Sequence, residues 1–178
     1  MIPAVLALCS IFSPFCWGQE SPGAWPPLSQ AAATAFDGQY GEPDEVTPWM
    51  LAWRERGPWR RVVVYREGAE RGDPYPHHDL IEHAVDYAVP ASKATNLLKF
   101  CGSLIIDQSR GTLASRGDSE QWNILVLNLA DEIVRGRRSV GSARRFLRET
   151  MEKNHAGKSS PYVETLLFSS KDGADTLR

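Results

Sequence analysis

At 178 residues the chain has the length of one domain rather than two. Its 42% hydrophobic and 24% charged residues exclude a disordered polymer, and a formal net charge of −2 supplies no global attraction for nucleic acid or acidic membranes.

Residues 1–18, MIPAVLALCSIFSPFCWG, are uncharged and mostly apolar. The run is too short, and too broken by Pro3 and Pro14, for a comfortable membrane span. It reads as the apolar region of a secretory signal with Gly18 as the candidate cleavage position, although no basic residue precedes it. Cleavage there removes Cys9 and Cys16 and leaves Cys101 alone, so the mature domain is expected to be held by its core and not by a disulfide. The expected location is the periplasm or the extracellular space, with no membrane association after cleavage.

Residues 19–46 are rich in Pro, Gly, Ala and acidic side chains without a sustained period. They read as an extended lead-in with a short helical turn at Ser29–Phe36, ahead of a single domain over 47–170 and a loose tail over 171–178.

In WMLAWRERGPWRRVVVYRE, Trp49, Leu51 and Trp53 alternate with Met50 and Ala52, the two-residue period of a strand. A turn over Arg54–Pro58 and three consecutive valines in the return segment complete a β-hairpin. The next stretch, HDLIEHAVDYAVP, fits a helix with Leu80, Ile81, Ala84, Val85 and Ala88 on one stripe, or a strand with Ile81, His83, Val85, Tyr87 and Val89 on one side. The strand is the preferred reading over 83–89, because Pro90 suits the first position of a following helix. That helix, about 91–101, places Ala94, Leu97, Leu98 and Cys101 on one face, with Gly102 as its stop.

A second hairpin follows, Ser103–Asp107 and Thr112–Arg116 about a turn at Gln108–Gly111. DSEQWNILVLNLADEIVRG then reads as an amphipathic helix capped by Asp118, stopped by Gly136, and carrying Trp122, Leu125, Val126, Leu129, Ala130 and Ile133 on its apolar face. Asn123 falls inside that apolar arc, where it is expected to bond to backbone or line a small pocket. A last helix, VGSARRFLRETMEKN, turns Val140, Ala143, Phe146, Leu147 and Met151 to one side, and PYVETLLFSS suggests a short strand. The sum is an α+β domain, an antiparallel sheet of two hairpins plus a further strand, with three amphipathic helices packed on one face.

The run from FDGQYGEPDEVTPW through GSLIIDQSRG to NLADEIVRGRRSVGSAR resembles a group of exported bacterial proteins of unknown function, over most of residues 36–168. The resemblance implies export and carries no chemistry with it.

Three of the four histidines crowd into YPHHDLIEH. Zinc or another divalent metal needs three or four converging ligands, which a helical segment would supply from His78, Asp79, His83 and Asp86 with His77 close by. In the strand reading His83 turns inward and the set disperses, so no cofactor is the preferred expectation, and a metal-dependent or acid–base enzyme using His77, His78 and His83 is the alternative. Glu82 and Asp86, four apart, read as ordinary exposed carboxylates. Cys101 lies on an apolar stripe, and neither G-x-S-x-G nor a glycine-rich phosphate loop occurs. The arginines at 135, 137, 138, 144, 145 and 148 are diluted by Asp131, Glu132, Glu149 and Glu152, which argues against nucleic acid. The preferred function is a non-enzymatic binding module for a small ligand or a protein partner, through an aromatic surface at Trp49, Trp53 and Trp59. A structural or assembly component is the third expectation.

Overall fold

The computed structural model describes residues 25–169. The signal-like segment with Cys9 and Cys16, the first residues of the lead-in, and the tail after Ser169 lie outside the described residues. In chain order the elements are α1 (Pro27–Tyr40), β1 (Glu45–Val46), β2 (Met50–Arg56), β3 (Trp59–Tyr65), β4 (Glu70–Arg71), β5 (His77–His78), β6 (Ile81–Asp86) and α2 (Ala91–Phe100). There follow β7 (Leu104–Asp107), β8 (Thr112–Gly117), α3 (Glu120–Val134), α4 (Val140–His155) and α5 (Pro161–Glu164). The class is α+β. Six strands form one antiparallel sheet in the order β1-β2-β3-β6-β8-β7, and β4 with β5 forms a small separate ribbon.

The two hairpins stand where the alternation put them. β2 and β3 meet through the two-residue turn Gly57-Pro58, with Arg56 opposite Trp59. Gly57 has φ +57°, the left-handed value that a primed hairpin turn requires at its first central position. At the β7–β8 turn, Asp107 Oδ1 accepts from the amides of Ser109 and Arg110, and Gly111 supplies φ +65°.

The sheet buries one face under α1 and α3. Leu51 and Trp53 lie opposite Val64 and Val62, which in turn face Ile81 and His83, so one parity of β2, β3 and β6 points to the helices. From α3, Trp122, Leu125, Val126 and Leu129 are fully buried against that face and against α2 and α4. Each such side chain contributes roughly 1.5–3 kcal/mol of transfer free energy, which makes α3 the centre of the core. Gly117 lets α3 come this close, since a Cβ there would overlap the Trp122 indole.

Several elements differ from the sequence reading. Residues 27–40 form a 14-residue helix and not an extended lead-in. Pro27 starts it, and Ser29, Ala33 and Phe36 recur on its buried side. Ser119, one position later than expected, caps α3, its Oγ accepting from the Trp122 amide. Leu98 is exposed while Phe100 takes the buried place on α2. The expected strand at 161–170 is instead one helical turn, because Ser160 caps it and Pro161 fits its first position.

The opposite sheet face holds a charge that the sequence reading placed in solvent. Glu82 is fully buried in central β6 and sits between Arg61 of β3 and Arg116 of β8, its register partner. Tyr65 donates its hydroxyl to Glu82 Oε2 at 2.8 Å, and Arg116 donates from Nε at 2.9 Å. Burial alone would raise the carboxyl, but Arg61 and the two hydrogen bonds outweigh it and hold it below its ordinary value. The Tyr65 phenol is pushed up to about 12 by its own burial and then by the Glu82 charge.

Candidate functional site

The three imidazoles do not gather at one point. His77 lies in β5 with its ring stacked on Trp122, centroids 4.0 Å apart, and His78, its neighbour, turns outward to Glu70 at 3.4 Å. His83 points into the core from the helix-facing side of β6. Successive residues of a strand face opposite ways, so an extended backbone over this stretch separates what a helix would have brought together. Among the described residues no group of three or more His, Cys, Asp or Glu is arranged to hold a metal ion.

His77 has a local polar cluster of its own. Its Nδ1 lies 2.7 Å from the Tyr75 carbonyl and its Nε2 lies 2.9 Å from Ser103 Oγ, which donates to Asp79 Oδ1 at 2.6 Å. Arg71 donates to the other Asp79 oxygen at 2.7 Å. Residue types alone suggest a hydrolytic triad, but the order is wrong. The imidazole turns its Nδ1 to the Tyr75 carbonyl, where a triad would set the carboxylate, and Asp79 instead accepts from the hydroxyl and lies 3.3 Å from His77 Nε2. Ser103, His77 and Asp79 are all buried, and their role is to tie the β4–β5 ribbon to the start of β7. Cys101 beside them is fully buried, with its thiol pushed up to about 11 chiefly by burial.

The tryptophans divide as well. Trp53 is wholly buried and donates its indole N–H to the Gly41 carbonyl at 2.8 Å, while Trp49 is 71% exposed. Of the three, Trp59 lines a cleft among the described residues. Its ring is buried, and the residue lines a concave surface where the ends of four elements converge. Tyr40 ends α1, Trp59 opens β3, Glu120 opens α3, and Glu164 ends α5.

Two adjoining clefts of about 340 and 360 Å³ meet at Glu120. The first lies between Tyr40, Arg56 and Trp59, the second between Gln121, Asn154 and Ser159, and both share Glu120, Ile124 and Glu164. Volumes of this order suit small molecules or a few residues of an extended chain. The Glu120 side chain is 27% exposed. Its Oε1 accepts from Trp59 Nε1 at 2.9 Å and from the Tyr40 hydroxyl at 3.3 Å. Burial first, and then the charge and hydrogen bond of Glu120, raise the Tyr40 phenol above its ordinary value, so it serves as a neutral donor.

Directly behind Oε1, at 3.8 Å, lies Nε2 of His83. The His83 ring is fully buried between Trp59 and Phe36, with centroids at 4.5 and 5.6 Å. Asn123 explains its tautomer. The amide nitrogen of Asn123 donates to the Ile81 carbonyl at 3.0 Å and lies 2.9 Å from His83 Nδ1, so Nδ1 is the acceptor and Nε2 carries the proton. That Nε2–H has no hydrogen-bond partner, and burial pulls the ring down to about 3, so it stays neutral. Asn123 therefore bonds to backbone, as expected of a polar residue in an apolar arc, and orients the histidine as well.

Compared with models of known families, with curated proteins and with solved structures, the chain matches none. Among the described residues no helix is long and apolar enough to cross a membrane. The arginines at the α3–α4 junction are engaged locally, Arg135 and Arg137 with Asp131, and Arg138 with Glu132.

Proposed function

We propose that this chain is an exported binding module, without catalytic activity of its own, whose ligand seats in the double cleft at Glu120. The observation that carries this reading is the half-used carboxylate. Donors from two distant elements hold Oε1 of Glu120, whereas Oε2 accepts from none of the described residues, and Glu120 lines both clefts. A carboxylate fixed by rigid aromatic donors is preorganised to bind, since little side-chain entropy remains to be lost when a ligand arrives. The anchoring groups sit on the first or last residues of regular elements and not within long loops, which further fixes the geometry.

The expected ligand site thus moves from a wall of three indoles to a cleft in which Trp59 is one participant. Titration of the isotope-labelled full chain with a set of small polar compounds, followed through its backbone amides, tests the reading. Shifts are expected in three segments far apart in sequence, 39–41, 57–59 and 120–124, and in the α5 region. Saturable shifts confined to any other surface, or none across neutral, anionic and cationic compounds, would overturn it.

A further inference from the structure

Resting on that reading, we infer that the ligand presents a primary ammonium group on an aliphatic chain, with Glu120 Oε2 as its anchor. Charge comes first. Glu120 is about three-quarters buried, and its protein neighbours, the Trp59 indole, the Tyr40 hydroxyl and the imidazole of His83, are all neutral donors. Hydrogen bonds hold such a carboxylate in place without cancelling its charge, and a largely buried charge is stabilised by an opposite one.

The cleft lining supplies no free cation for the purpose. Its arginine, Arg56, is committed to Asp44 at 3.2 Å and to the carbonyls of Arg54 and Tyr40. The second carboxylate shared by both clefts, Glu164, accepts from the neutral hydroxyl of Ser159. Two acids therefore face the junction of the clefts, and beyond the N-terminal end of α3 no positive group of the lining complements them, so a cation from outside fits the junction.

An independent feature lies beneath the acids. His83 Nε2–H is fully buried, without a partner, and aimed at Glu120 Oε1 from 3.8 Å. Buried donors are almost always satisfied, and the ligand-anchoring carboxylate lies just beyond hydrogen-bonding distance of this one. With Oε2 held by a cation, the remaining gap from Oε1 to the His83 Nε2–H is expected to close. The imidazole is then a positioning residue that acts through Glu120 and does not touch the ligand.

Geometry also selects among cations. A guanidinium binds best across two oxygens of one carboxylate, but Oε1 is already occupied by Trp59 and Tyr40. The single open oxygen suits a compact ammonium point charge. Ile124 and Trp59 add apolar surface beside it for methylene groups. A free diamine and the side chain of a lysine in a polypeptide share this chemistry.

Calorimetric titration of the full chain with 1,5-diaminopentane, Nα-acetyl-lysine methylamide, 1,5-pentanediol and glutarate tests the assignment. One or both amines should bind saturably while the diol and the diacid do not, and which amine binds more tightly identifies the source. Glu120→Gln should weaken the amine at least tenfold, and Glu164→Gln, at an exposed position whose loss the fold tolerates, should weaken it several-fold. Adding an amine should also shift the His83 Nε2–H resonance downfield as its hydrogen bond forms. Binding of the diol or diacid at the cleft without the amines overturns the ammonium assignment and leaves the cleft reading standing. Amine binding unaffected by both substitutions overturns the assignment of Glu120 as anchor, and no binding by any of the four overturns the ammonium assignment.

Discussion

Lowering the pH should destabilise this protein through one residue in a defined window. Burial holds the His83 ring at about 3 in the folded protein, against 6.5 when solvated. The desolvation cost of a charged ring between Trp59 and Phe36 outweighs the attraction of Glu120 at 3.8 Å. Between those two values the unfolded chain carries a proton that the folded chain does not, so stability falls as pH drops from above 6.5 toward 3. The slope approaches about 1.4 kcal/mol per pH unit, and the accumulated loss at pH 5 is about 2 kcal/mol relative to pH 7.5. Urea unfolding of the wild type and of His83→Asn at pH 7.5, 6 and 5 isolates this contribution. Asparagine keeps an acceptor for Asn123 and cannot titrate, so the variant should be less stable at neutral pH but show a slope shallower by the His83 share. Equal slopes in the two proteins would refute the burial argument. Nitrogen-15 spectra of the imidazole provide the same test without a variant, since the ring should keep its Nε2–H tautomer down to pH 5.

Three further outcomes follow from the core and the sheet. Gly117→Ala places a methyl group inside the Trp122 indole and should cost about 1–3 kcal/mol or more, read as a lower denaturation midpoint and a displaced tryptophan emission. Glu82→Gln leaves Arg61 and Arg116 facing a neutral amide. Because both arginines are partly exposed, the expected loss at neutral pH is about 1–3 kcal/mol by chemical denaturation. The depressed Glu82 carboxyl stabilises above its ordinary 4.5, so the gap between variant and wild type should narrow as pH falls through its lower folded value. Cys101, buried and pushed up to about 11, should resist thiol reagents at pH 8 in the native protein and react fully in urea.

How far the sequence could be read depended on whether a signal was local. The strand character of β6 is visible in the alternation of Ile81, His83 and Val85, and both hairpins are visible in their alternation and turns. The buried Glu82 was not visible, because its charge partners arrive from β3 and β8 and only the pairing register sets Arg116 opposite it. Helix α1 was obscured by the prolines and glycines around it, although Ser29, Ala33, Phe36 and Tyr40 already recur at helical spacing. Asn123 was singled out, but its acceptor His83 lies 40 positions away. The cleft itself was beyond local reading. Trp59 and Tyr40 are 61 and 80 positions from Glu120, and nothing within any one segment marks that glutamate as more than the first residue of a helix.

The most direct check on the cleft uses the indole N–H resonances of one nitrogen-15 spectrum. Trp59 donates to Glu120 inside the cleft, whereas Trp53 donates to the Gly41 carbonyl and Trp122 to the Arg116 carbonyl in the core. When a ligand saturates the protein, the Trp59 indole signal should move while those of Trp53 and Trp122 stay in place. A bound ligand that leaves the Trp59 signal unmoved would contradict the account.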